Sequence, residues 1–380
     1  MKKVLLLAPM SSVHERFNIA NINALKASKC EIHIAANFET GDIETLEHNR
    51  IYKEKLQNEG IVTHQIPFER GSLIKNIQAI RCCRRLFKQE NFDMIHCHTE
   101  TGGLITRLAM SKRLKAKFVY TPHGMSFYKG SSLKSRMVYR PIEKWICGKM
   151  DANLAINQEE FAVLGKWNST TAKFIHGIGL NLQSIINARV DKAEKRSEFG
   201  IPEDAFLILS IGELNNNKNH QTIIQAISEI DNPNIYYLIC GEGPLKNKLE
   251  DVCCSLHMSD KVIFAGYRRD IPEILKIADV FTFPSYHEGL PVSMMEAMAA
   301  GLPVVCSDIR GNIDLIEDCK GGLLCSADDV NGFKEAVLKL HNDSDLRRRC
   351  GQINSLVIDK YSMEKVQKEL EAVYLIALEE

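Results

Sequence analysis

Short apolar runs recur along this chain with helix-like stretches between them. That alternation is the pattern of parallel sheets covered on both faces. In the first half the runs are Val4–Leu7, Glu31–Ala35, Ile61–Ile66, Met94–Cys97, Phe118–Thr121, Asn153–Ile156 and Lys173–Ile175. The second half repeats the logic with Phe206–Ile211, Ile235–Cys240, Val262–Phe264, Val280–Phe283, Val304–Cys306 and Gly322–Cys325. The fold expected is therefore α/β, with two Rossmann-like sheets. A chain of 380 residues with 45% hydrophobic content is long enough to bury two cores. The polar stretch from His176 to Pro202 reads as the connection, so one domain is expected at 1–180 and a second at 181–361. Beyond them Met363–Leu378 has the period of an amphipathic helix, with Val366, Leu370, Val373, Tyr374, Ile376 and Ala377 as its expected buried stripe.

Net charge is zero, but the halves differ. Residues 1–180 carry 27 Lys+Arg against 16 Asp+Glu, and the remainder reverses that balance with 21 against 32. Much of the excess lies in residues 101–150, where Arg107, Lys112, Arg113, Lys115, Lys117, Lys129, Lys134, Arg136, Arg140, Lys144 and Lys149 face a single acid, Glu143. Such a segment is either a solvated basic face or a surface for anionic lipid headgroups or a lipid-linked diphosphate, each cation near a membrane contributing about 1 kcal/mol. Nucleic acid is disfavoured by the near-neutral pI of 7.2 and the absence of a recognition motif. No apolar run approaches the ~20 residues of a membrane span. The opening Met1–Met10 run is broken at Pro9 and reads as a first buried strand, not a signal segment. Twelve cysteines without a C-x-x-C pair suggest reduced, buried thiols and a cytoplasmic protein rather than a zinc site.

The most specific text runs from Pro284 to Val305. Val280–Phe283 reads as a buried strand, Pro291 suits the first helical position, and Gly301 followed by Pro303 is a stop signal. Glu288 then lies in the loop at the strand's carboxyl end and Glu296 eight residues on, in the helix. The N–H groups of Val292, Ser293 and Met294 face that loop, an arrangement that attracts an anion. Two carboxylates beside an anion site suit a ligand with both phosphate and many hydroxyls, such as a nucleotide-sugar. Three more loops stand at strand ends: Gly212–His220 with Lys218 before a helix, Cys240–Pro244 around Gly241, and Phe264–Asp270 with Tyr267 and Arg268. Alone, each reads equally as a turn; a G-x-G without its third glycine is weak.

In this order the loops resemble family 4 of the retaining glycosyltransferases, the group with the E-x7-E motif, and in particular its bacterial exopolysaccharide and capsule branch. The resemblance covers the C-terminal half closely and the N-terminal half loosely. It implies a GT-B architecture, two facing Rossmann-like domains with a cleft between them, with the donor held by the C-terminal domain and the final helix, 362–380, returning to the first. It implies that Glu296 accepts from the ribose hydroxyls, Glu288 faces the donor sugar, and Gly289, Leu290 and Val292 present backbone groups to sugar and diphosphate. Lys218 would stabilise the departing diphosphate, with Gly212, Gly241, Tyr267 and Arg268 completing donor binding. Tyr120–Gly124 resembles the family's T-x-H-G loop, placing His123 opposite the donor as a catalytic candidate. His14, His98 and Glu100 would border the acceptor. The implied reaction moves a hexose or N-acetylhexosamine, UDP being the commonest donor nucleotide, to a lipid-linked or saccharide hydroxyl without a metal. Asp343-Ser344-Asp345 is expected to cap a helix.

Two departures stand out. Glu213 occupies the place of the family's arginine, so an acid opposes the diphosphate unless it turns away and Arg268, Asn215 or backbone groups compensate. Ala8-Pro9-Met10-Ser11-Ser12 replaces the family's glycine pair after the first strand. The rival readings are a nucleotide-sugar epimerase, which needs no acceptor, a dinucleotide oxidoreductase, which lacks its third glycine, and a non-catalytic sugar-nucleotide sensor, which Glu213 would favour.

Overall fold

The structure, a computed structural model, describes residues 1–40, 45–69, 71–128 and 130–379. Lys129 of the basic segment lies outside them. The chain divides into two compact units, one formed by Met1–Gly179 with Met363–Glu380 and the other by Leu180–Ser362.

In the first unit the strands are β1 (Lys3–Met10), β2 (Glu31–Asn37), β3 (Val62–Gln65), β4 (Met94–His98), β5 (Lys117–Thr121), β6 (Ala152–Ala155) and β7 (Ala172–Phe174). They form one sheet in the order β3-β2-β1-β4-β5-β6-β7, and every paired neighbour runs parallel. The second unit contributes β8 (Phe206–Ile211), β9 (Ile235–Cys240), β10 (Val262–Gly266), β11 (Val280–Phe283), β12 (Val304–Ser307) and β13 (Gly322–Cys325). Their order is β10-β9-β8-β11-β12-β13, again parallel throughout. Burial explains the continuous apolar runs: Val4 to Ala8 and Leu207 to Leu209 have no exposed surface, as sheets with helices on both faces demand.

In both sheets the order reverses at the first strand, between β1 and β4 and between β8 and β11. Ligands of open parallel sheets collect at the carboxyl ends of strands flanking such a reversal. The loops carrying Lys218 and Glu288 leave β8 and β11, and the helices Ser11–Phe17 and Thr99–Ala109 follow directly on β1 and β4.

The helix after β11 spans Val292–Ala299, with Pro291 in extended conformation (φ −79°, ψ 111°) as its N-cap. The proline thus stands one place before the expected first helical position, and its carbonyl accepts the first intrahelical bond, from Met295 N–H at 3.1 Å. At the other end Leu302 N–H reaches the Ala297 carbonyl and Gly301 N–H the Met298 carbonyl, with Gly301 at φ +79°. That is the left-handed helix stop for which glycine is suited. Met294, Met295 and Met298 bury against Leu209 and Phe281 in the sheet. Asp343 caps the helix Ser344–Val357, accepting from Leu346 N–H at 2.8 Å.

The final helix, Met363–Glu379, belongs to the first unit and packs on the helix Ile19–Ala27. Val366, Leu370, Tyr374 and Ala377 are its buried stripe, while Ile376 is 51% exposed and Val373 half-buried. The expected stripe was too wide: Ile376 is two residues from Tyr374, on the opposite side of a 3.6-residue turn. Eight of the twelve cysteines are buried and all are free thiols. No helix among the described residues is long and apolar enough to cross a membrane.

Candidate functional site

In the second unit the loops after β8, β9 and β10 are joined through their backbones. Gly212 N–H donates to the Cys240 carbonyl (3.0 Å), Leu214 N–H to the Glu242 carbonyl (2.9 Å), and Gly241 N–H to the Gly266 carbonyl (2.8 Å). Gly241 has φ +156°, and a Cβ there would lie 2.0 Å from the Gly212 carbonyl oxygen. Only glycine permits that approach.

From this base the β8 loop crosses to the β11 loop. Asn217 is the staple: its side-chain amide donates to the His287 carbonyl (3.0 Å), its side-chain oxygen accepts from His287 N–H (3.1 Å), and its carbonyl accepts from Tyr286 N–H (2.9 Å). Asn219, in left-handed conformation at φ +54°, donates to the carbonyls of Pro284 (3.2 Å) and Ala327 (2.9 Å). Between these two asparagines stands Lys218. Its Nζ donates to Glu288 Oε1 at 2.7 Å and lies 4.6 Å from the centre of the Phe283 ring. The sequence-predicted lysine and glutamate, seventy positions apart, therefore meet as an ion pair, with side chains 20% and 13% exposed. Behind them buried Arg310 donates through Nε to the Glu288 carbonyl at 3.1 Å.

Glu296 faces the same end of the sheet from the second turn of its helix. Its side chain is half-buried, and among the described residues nothing hydrogen-bonds or pairs with its carboxylate. Burial alone pushes that carboxyl up to about 7. Val292 opens this helix, so the first backbone donors of a helix end stand beside Gly289 and Leu290.

Of the two expectations about the diphosphate's charge, one meets a physical obstacle here. Arg268 is already engaged, bonding Asp270 at 2.7 and 2.5 Å and Glu198 at 2.7 Å and lying over the Phe199 ring at 5.1 Å, so its guanidinium would have to leave two carboxylates to reach a diphosphate. Glu213 does turn away: it is exposed and accepts from Asn215 in its own loop at 2.9 Å. Tyr267 is 56% exposed beside Arg268. Asn217, Asn219 and Arg310 were not assigned roles from sequence; the run Asn215-Asn216-Asn217-Lys218-Asn219 was the signal for the two asparagines, and it reads equally as a polar turn, while Arg310 stood only within the stretch Cys306–Asn312.

The first unit holds a histidine group at its own strand ends. His98, the last residue of β4, is buried and pairs through Nδ1 with His123 Nε2 at 3.0 Å. His123 has φ +59° and Gly124 φ +115°. The turn they make is clamped on its far side, where Glu100 accepts from Ser126 N–H at 2.6 Å and from the Ser126 hydroxyl, and Glu160 accepts from Met125 N–H at 2.7 Å. Glu100 therefore holds the loop that carries His123. His14 is wholly buried: its Nε2 bonds the Ala35 carbonyl (3.2 Å) and its Nδ1 the Asn18 amide (3.0 Å), leaving no ring nitrogen for an acceptor. Burial lowers both His14 and His123 to about 4.

Two units built on reversed parallel sheets, each with chemistry gathered where the order reverses, define the two-domain glycosyltransferases of the GT-B class. Solved structures agree on the fold: Anabaena Alr3699/HepE in complex with UDP and glucose superposes with a TM-score of 0.80 over 99% of this chain and 100% of that one, at 17% identity. WaaG, a glycosyltransferase of lipopolysaccharide biosynthesis, does so with 0.73 over 98% and 99%, also at 17%. The chain belongs to the glycosyltransferases, its residues 191–355 matching the model of Glycosyl transferases group 1 and 15–175 that of Glycosyltransferase Family 4. Among its relatives, EpsD of Bacillus subtilis (strain 168), itself a glycosyltransferase by assignment, is 29% identical over 98% of this chain and 96% of its own. The UDP-Gal:alpha-D-GlcNAc-diphosphoundecaprenol alpha-1,3-galactosyltransferase of Escherichia coli is 26% identical over 80% of each.

Proposed function

We propose that this glycosyltransferase moves a hexose or N-acetylhexosamine from a UDP-sugar, with retention of anomeric configuration and without a metal, to a hydroxyl of a lipid-linked saccharide in bacterial surface-polysaccharide (exopolysaccharide or capsule) synthesis. The observation that carries this reading is the Lys218–Glu288 pair at 2.7 Å beside a helix start, with the unpartnered Glu296 carboxylate on the same helix. A lysine ammonium has three donors, so Lys218 can keep Glu288 and still donate to a phosphate oxygen. Glu296 offers two acceptor oxygens to a ribose diol. In the transfer, the bond from C1 to the phosphate oxygen breaks, a bond from C1 to the acceptor oxygen forms, and the acceptor proton passes to the leaving diphosphate on the same face. The protein's part is positioning and charge stabilisation. His123 would donate to an oxygen of the reacting sugars. The E. coli relative's lipid diphosphate acceptor supports the choice of acceptor class.

The first unit also supports contact with the inner face of an anionic membrane. In the helix Leu133–Cys147 only Glu143, Ile146 and Cys147 are buried. Leu133 and Met137 stand one turn apart with exposures of 72% and 68%, and Val138, Ile142 and Trp145 make a second row at helical spacing, each between about 37% and 47% exposed. Lys134, Arg136, Arg140 and Lys144 share this exposed helix. An outward apolar row among cations is the composition of a helix that lies in a lipid headgroup layer.

Both parts are read in one assay, UDP release from UDP-sugars with a lipid-diphosphate saccharide placed in neutral or phosphatidylglycerol-containing vesicles. Release should require the acceptor and rise with anionic lipid. L133S/M137S should lose the lipid-dependent increase, about a hundredfold at about 1.5 kcal/mol for each of two apolar side chains, while keeping turnover on a soluble acceptor. Release without acceptor would instead point to hydrolysis, and conversion of donor without UDP release to an epimerase.

A further inference from the structure

His98 is buried against the loop of the candidate catalytic His123, and its position settles a question of proton placement. The surroundings fix the other rings first. The Asn21 amide donates to the Tyr374 hydroxyl oxygen at 2.7 Å, which leaves the Tyr374 hydrogen for His96 Nδ1 at 2.8 Å. His96 Nδ1 is thus an acceptor, and His96 Nε2–H donates to Thr121 Oγ at 2.9 Å. The His96 ring packs against His98 at a tilt of 35°, centroids 4.0 Å apart, with both its nitrogens committed elsewhere. His14, 6.4 Å from His98, is also committed.

One hydrogen remains to be placed between His98 Nδ1 and His123 Nε2, 3.0 Å apart. If His123 held it, the neutral His98 would carry its hydrogen on Nε2. That atom is buried and, among the described residues, has no hydrogen-bond partner, and a buried N–H without an acceptor is among the costliest states for a polar group. If His98 Nδ1 holds the hydrogen, only a lone pair is left unfilled at Nε2, and His123 carries its own hydrogen on Nδ1. Burial and the neighbouring rings hold His98 and His96 well below the usual histidine value, so neither escapes the choice by taking a second proton near neutrality.

We propose that His98 is a positioning residue that donates from Nδ1 to His123 Nε2 and so fixes His123 as the Nδ1–H tautomer, presenting an N–H donor, not a lone pair, to the reacting sugars. A fixed donor is what a sugar hydroxyl or a phosphate oxygen needs. Glu100 and Glu160, on the other side of the turn, hold the backbone while His98 holds the ring. The assignment rests on the catalytic reading of His123.

The test uses the full-length protein. Asparagine places its amide NH2 where the His98 Nδ1–H stands, whereas phenylalanine keeps the ring and loses the donor. H98F should lower kcat about tenfold to a hundredfold, as supporting hydrogen bonds to a functional histidine do, with donor KM within about threefold. H98N should recover most of that loss. Nitrogen-15 shifts of the His123 ring should show Nδ1 protonated and Nε2 bare in the wild type, and a mixture of tautomers in H98F. A wild-type ring protonated on Nε2, an H98F enzyme with unchanged kcat, or H98N no better than H98F would overturn the proposal. H123A keeps the two readings apart: if it retains full activity, the catalytic reading of His123 fails first, and if it alone is inactive, only the role of His98 fails.

Discussion

Lys218→Ala should lower kcat for sugar transfer by about two to three orders of magnitude, the loss seen when one preorganised donor to a developing negative charge is removed. Lys218 is held from three sides, by the Glu288 carboxylate at 2.7 Å, the Phe283 ring, and the Asn215 side-chain oxygen on its backbone N–H at 3.0 Å. The arginine expected to share its task is absent, since Glu213 stands in that place and Arg268 is bound to Asp270 and Glu198. With Arg268 held by two carboxylates, the proposed reading leans on Lys218, and the effect of its loss should be correspondingly large. Lys218→Arg should recover part of the rate, since the charge is retained but the geometry of the fork is not that of an ammonium. Steady-state kinetics with donor and acceptor varied separately decides it. A K218A enzyme within about threefold of wild type would remove the lysine from the mechanism.

Glu296 gives the second large effect, on binding. Burial pushes its carboxyl up to about 7, above the ordinary carboxyl value, with no partner for it among the described residues. The folded protein therefore takes up a proton there before the unfolded chain does. The sign follows: this group favours the folded state at pH below the unfolded value of about 4.5, and that contribution is progressively lost as pH rises toward about 7. A ribose diol donates to the ionised form, so donor binding must displace the proton. Donor affinity should fall about tenfold for each pH unit below the carboxyl's value. Glu296→Gln should bind UDP more weakly at pH 8 and lose that pH dependence. Calorimetric titrations of UDP at several pH values read both, and an identical pH profile in E296Q would detach Glu296 from the nucleotide.

How much of this was legible in the sequence depended on the range of the interaction concerned. Strand positions follow from local apolar runs, and the reversal of order at β8 and β11 is what turns Lys218 and Glu288, each recognisable in its own loop, into a pair. The boundary at Pro291 moved by one residue because proline's fixed φ suits the cap as well as the first turn. What the sequence hid was the partner of each polar side chain. Nothing near Arg268 in sequence announces Glu198, seventy residues away. Likewise nothing in the stretch after the first strand shows that His14 is enclosed between the Ala35 carbonyl and Asn18, or in that after β4 that Glu100 is committed to Ser126. His98 and His123 were singled out separately. Their bond arises only because β4 and β5 are neighbours in register, His98 beside Thr121.

The reaction itself is tested most directly by the product. The purified protein, given a UDP-sugar with an axial anomeric bond and a lipid-diphosphate saccharide, should release UDP in step with a new disaccharide. Proton and carbon NMR of that disaccharide should show the axial linkage retained. An equatorial linkage, or loss of UDP-sugar with no disaccharide formed, would contradict the account.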